Sequence, residues 1–137
     1  MKTYPYLRAY MAGITIPTMM LIFIMIVFSI VRYINTGSIS IEKIIVFPMA
    51  IVPNLWGLWN ISYVYLRRYR YVSIGIHGAV LALVQVLLAF GIAKLVSFEV
   101  PGLVASTFPL GLPIVVIVFY LVWKHLVAFF NAVLGIE

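Results

Sequence analysis

The chain has 137 residues, 66% of them hydrophobic and only 9% charged, too little polar surface to clothe a soluble domain. It reads as an integral membrane protein, and its +6 net charge, scattered at segment ends, suits lipid headgroups and membrane threading and does not suit nucleic acid. Cysteine and aspartate are absent and the acids are Glu42, Glu99 and Glu137, so thiolate metal sites, cysteine nucleophiles and intramembrane carboxylate pairs have no basis.

The opening MKTYPYLRAYMAG is basic and leads into an apolar run longer than a signal-peptide core, with no A-x-A-like cleavage site. It is expected to be a retained first helix over 11–33. After INTGSISIEK, a second apolar stretch predicts a helix over 44–66. The short RRYR connection leads to a third helix over 71–96. SFEVPGLVAST is expected to be a loop, followed by a fourth helix over 108–130 with a loose entry at FPLGLP. A hydrocarbon core about 30 Å thick takes roughly 20 apolar residues as helix. In lipid the backbone must pair within its own segment, which selects helices.

The expected fold is therefore all-α: a polytopic membrane protein forming one domain over 1–137. Its four transmembrane helices make an up-and-down bundle. Lys2, Arg8, Arg67, Arg68 and Arg70 fall at one end of it, and Arg32, Lys43 and Lys94 at the other. The positive-inside rule then places both termini in the cytoplasm, as in a multi-pass protein of a bacterial or archaeal inner membrane. Tyr4, Tyr6, Tyr10, Tyr63, Tyr65, Tyr69 and Tyr71, with Trp123, gather at the same end as an interfacial belt. No internal repeat suggests an inverted-repeat transporter.

The stretch PNLWGLWN, residues 53–60, sets Asn54, Trp56, Trp59 and Asn60 inside the second span. Pro53 removes an N–H, so the helix is expected to kink there, with Asn54 or a water covering the freed carbonyl. The tight RRYR turn makes the second and third helices an antiparallel hairpin. It puts Asn60 at the depth of His77 and Trp59 at that of Gly78, with Gln85 within a turn of Asn54. On this reading Asn60 and His77 bond across the hairpin, and the Trp rings rest on the small face of Gly75, Gly78, Ala79 and Ala82. With Lys124, these residues predict a polar cavity open to the cytoplasmic end: Asn60, His77, Asn54 and Gln85 bind a polar group, Trp56 and Trp59 wall it, and Lys124 attracts anions. The structural alternative is that Asn60, His77 and Gln85 are interhelical glue and the Trp pair is packing. Lys124 then snorkels to the headgroups, with HLVAFFNAVLGIE as a short surface helix.

No phosphate-binding loop, zinc-protease helix, nucleophile elbow or potassium-filter motif is present. His77 and His125 are a thin basis for a haem or metal, and no catalytic residue, metal or cofactor is assigned. The leading functional expectation is non-catalytic binding or transport of a small polar or anionic solute or ion, with the cavity completed by oligomerisation. The alternatives are an accessory membrane subunit and a lipid- or quinone-handling enzyme. Partners are then the lipid bilayer and either further copies of the chain or another membrane protein. The small residues Gly13, Gly75, Gly78, Ala82 and Gly91 are the expected contact face of an accessory subunit.

Overall fold

The computed structural model describes residues 4–34, 49–95, 97 and 102–136, and among them there is no strand. The first helix, α1, spans Pro5–Ile34 and begins six residues before the expected start. Proline suits a first helical turn, where its missing N–H leaves nothing unpaired. The added residues are also packed: Ala9 is fully buried with Tyr63 and Val64. Pro17 lies inside α1 without ending it.

Helix α2 spans Val52–Leu66 and follows a π-helical turn at residues 49–51. Pro53 thus falls in the first turn of α2, where its missing donor costs least. The Asn54 side-chain amide donates to the Ala50 carbonyl at 2.7 Å. Residues 44–48, the first part of the expected second span, lie outside the described residues. The RRYR segment makes the expected tight connection, with the Tyr69 and Arg70 N–H groups bonding the Leu66 carbonyl. Helix α3 then runs Ile74–Leu95.

Helix α4 spans Gly102–Val122 and corrects the expectation of a loop up to residue 108. Pro109 and Pro113 lie inside it, and both are exposed. Their spacing of four puts the two interruptions on one outward side of the helix, so the other sides keep their hydrogen bonds. Trp123–Val127 form a π-helical turn, with the Ala128 N–H reaching back to the Trp123 carbonyl. Helix α5, Ala128–Val133, continues from it. Gly135, at φ +64°, closes the end, and the Gly135 and Ile136 N–H groups bond the Ala132 and Asn131 carbonyls.

Three stretches are long and apolar enough to cross a membrane: Pro5–Ile34, Ile74–Leu95 and Ser106–Val133. Among the described residues, buried side chains concentrate at the end of the molecule where α1 begins, α2 and α3 meet, and α5 finishes. Trp56, Leu81, Trp123 and Val127 form the larger core cluster there. The backbones of α1 and α2 touch: a Cβ on Gly13 would come within 2.6 Å of the Trp56 carbonyl oxygen and 2.9 Å of Gly57 Cα. Glycine at both positions is what permits that approach.

Candidate functional site

The polar residues expected to line a cavity lie mostly in this packed end, bonded to one another. Asn60, fully buried on α2, donates its side-chain amide to Asn131 Oδ1 at 2.7 Å and to the Ala9 carbonyl at 2.8 Å. Asn131 returns the bond, its Nδ2 donating to Asn60 Oδ1 at 3.2 Å. The expected Asn60–His77 pair is therefore not the one that forms, because the start of α1 and the end of α5 close over Asn60. Three helices, α1, α2 and α5, meet at this single amide.

His77 bonds one residue away, to the backbone of Trp59. Trp59 Nε1 donates to the His77 carbonyl at 2.9 Å, and His77 Nε2 lies 3.0 Å from the Trp59 carbonyl. A carbonyl only accepts, so this bond puts the proton on Nε2. The two rings lie 4.9 Å apart. This reciprocal rung ties α2 to α3 at the depth the hairpin register predicts, within one residue.

Trp56 donates its Nε1 to Gln85 Oε1 at 2.9 Å, which occupies the Gln85 amide oxygen one level deeper. Its ring packs against Phe119 and Trp123, with centroids 5.2 and 5.6 Å away. The small face of α3 takes partners other than the expected Trp56 and Trp59. An added Cβ on Gly78 would sit 2.2 Å from Trp123 Cγ, and one on Gly75 would sit 2.7 Å from the Tyr120 ring. Gly13, Gly75, Gly78 and Ala82 are all buried within the chain, whereas Gly91 faces open space.

Asn54 and Lys124 stand apart from this cluster. Asn54 is exposed on α2 and accepts a hydrogen bond from the Tyr10 hydroxyl. Lys124 is exposed, its ammonium 5.6 Å from the Tyr120 ring centroid, as a snorkelling side chain would be. Thr15 and Thr18 bond back to the carbonyls of Met11 and Ile14 on their own helix. His125 is exposed in the π-helical turn, and among the described residues no three metal-ligating side chains gather.

Sequence reasoning missed Asn131 and gave Trp123 only an interfacial role. Trp123 fell inside the expected fourth helix, and Asn131 just past its end, in the HLVAFFNAVLGIE segment that the structural alternative laid along the surface; both are buried. Phe119, Trp123, Val127 and Asn131 recur every four residues. On a regular α-helix that spacing drifts around the axis by roughly 40° per step. The wider π-helical turn takes up part of the drift, so all four reach the same core. The detectable signal was an asparagine within the apolar run AFFNAV.

Among the described residues one buried side-chain polar atom is left unpaired. Trp123 is fully buried, and its Nε1 has no hydrogen-bond partner. The His77 ring stands edge-on to it at 5.9 Å. A groove of about 630 Å³ lies elsewhere, on the outer side of α1 and α2, lined by Tyr6, Ile61, Ser62, Tyr65 and Leu66. None of the residues expected to bind a ligand lines it. No protein-family model matches the chain, and neither does any curated protein or solved structure.

Proposed function

We propose that this chain is a non-catalytic accessory subunit of a membrane assembly. The observation that carries this reading is the pairing of its polar side chains. Asn60 is spent on Asn131 and Ala9, His77 on Trp59, and Gln85 on Trp56, so these groups hold the chain's own helices together. What the chain offers outward is the far half of α3 and α4, where Leu87 and Leu110 are 73% and 79% exposed. Gly91 and Gly111 on that surface have nothing within 4 Å of an added Cβ. Glycine on an outward helix face allows another helix to approach closely.

On this proposal the chain threads the membrane four times, the second span covering 44–66, with both termini on the cytoplasmic side. The distribution of Arg8, Arg67, Arg68 and Arg70 against Arg32 and Lys94 supports that direction. A photo-crosslinking residue placed at Leu87 or Leu110 tests the assembly in native membranes. Discrete protein adducts at these positions, absent when the probe replaces Leu58 on α2, are the expected result. Lipid adducts alone at Leu87 and Leu110 would contradict it.

A second reading, binding or transport of a small polar solute, is favoured by one observation: the unpaired Trp123 Nε1 beside His77. A buried donor without a partner costs about 1–3 kcal/mol, which an acceptor entering from outside would relieve. That acceptor would need a path into the packed end.

A further inference from the structure

The outer groove between the start of α1 and the end of α2 has chemistry unlike the interior cluster. Its walls are Tyr6 from α1 and Ile61, Ser62, Tyr65 and Leu66 from α2. At about 630 Å³ it is an open trough and not an enclosed cavity. The surface is overwhelmingly apolar, and it sits at the end of the bundle where tyrosines collect, so its mouth is at headgroup depth.

The mouth carries cations. The Arg68 guanidinium lies over the Tyr6 ring at 5.7 Å from its centroid, which fixes a charged fork at the edge of the groove. Arg67 and Arg70 are exposed on the same turn. Asp is absent from the chain, and Glu42, Glu99 and Glu137 lie outside the described residues, so no carboxylate among those residues offsets these arginines. An apolar trough ending in guanidinium groups complements an acyl chain bearing a phosphate. Arginine matches phosphate oxygens with two parallel N–H donors, which a diffuse surface lysine does not.

We propose that this groove is a binding site for an anionic phospholipid, one acyl chain lying along Ile61, Tyr65 and Leu66 and the phosphate held at Arg68. Tyr6 forms one wall and positions the arginine. The site is independent of the assembly proposed above, which uses the opposite half of the molecule.

Native mass spectrometry of the full chain, released from neutral detergent with phosphatidylglycerol or phosphatidylcholine of identical acyl chains, tests it. The expected result is one retained phosphatidylglycerol per chain, in preference to phosphatidylcholine. A juxtamembrane arginine contributes about 1 kcal/mol toward an anionic lipid, so Arg68→Gln should weaken retention about fivefold. Arg32→Gln, which removes the same charge from the other end of α1, should leave retention unchanged. Ser62→Trp fills the trough while keeping every arginine, and it should abolish retention. Equal retention of both lipids, equal loss in the two arginine variants, or full retention in Ser62→Trp would each overturn the site. So would displacement of the lipid by millimolar inorganic phosphate, which would mean that the arginines hold a bare anion and the groove contributes nothing.

Discussion

The two ends of the molecule are built from similarly apolar sequence but used in opposite ways. At the end holding Ala9, Asn60, His77 and Trp123, large side chains sit in glycine notches and amides bond in pairs. At the far end, Phe23, Ile26 and Ile30 of α1, Leu87 of α3, and Leu110 and Ile114 of α4 are all more than half exposed. Phe28 is buried there, and Phe90 meets Phe108 edge-on at 5.1 Å. Lipid tails are as apolar as leucine, so hydrophobicity alone does not draw membrane helices together. The difference teaches that glycine notches and the paired Asn60 and Asn131 amides mark where this chain packs most closely against itself.

Glycine substitutions should expose the contrast most sharply. Gly78→Ala forces a methyl into the Trp123 side chain, and Gly13→Ala forces one into the α2 backbone. Each should cost about 1–3 kcal/mol, or more where the backbone must yield, measured by unfolding in mixed micelles. Gly91→Ala and Gly111→Ala meet open space and should leave the isolated chain unchanged or stabilise it by up to about 1 kcal/mol. If these two instead weaken photo-crosslinking from Leu87 or Leu110, the far face is an interface.

Next in size is the amide pair. Asn60→Leu strands the Asn131 amide, and Asn131→Leu leaves Asn60 Oδ1 without its donor while its Nδ2 keeps the Ala9 carbonyl, and each should destabilise by about 1–3 kcal/mol. The double variant should lose less than the sum of the two, with a coupling of roughly 0.6–2 kcal/mol. Strict additivity would mean that the two amides do not act together. His77→Phe keeps a ring beside Trp59 but removes the Nε2 donor, and should cost about 1 kcal/mol. The smallest effect belongs to Arg8, whose Nη1 donates a long 3.4 Å bond to the Leu134 carbonyl; Arg8→Gln should cost about 0.5 kcal/mol.

Much of this was legible in the sequence. Apolar run length pointed to helices, and the RRYR turn gave a hairpin register that is off by one residue: Asn60 was set level with His77, but Trp59 is the residue that bonds it. Depth, however, is one coordinate of three. Knowing that Asn60 and His77 lie at one level does not say which way each faces. The answer came from α1 and α5, which close over Asn60. The start of α4 was missed because SFEVPGLVAST, with its proline, glycine and small polar residues, read as a loop, whereas the helix already runs from Gly102. Asn131 was passed over because the expected fourth span ends at residue 130, one position before it. Gly78 was correctly expected to admit a large ring, but the ring is Trp123, brought there by a π-helical turn that no short motif announces.

The central claim is that the polar cluster is a dry internal clamp. In this cysteine-free chain, Ala82→Cys and His77→Cys put a thiol at fully buried Ala82 and nearly buried His77, and Tyr71→Cys puts one in the 99% exposed connection. Each variant is exposed to a membrane-impermeant maleimide from either side of sealed vesicles. The account predicts labelling at residue 71 from one side only, and none at 77 or 82 from either side. Labelling at 77 or 82 from the side that reaches 71 would contradict it, revealing a water-filled path to His77 and Trp123 and favouring the solute-binding reading.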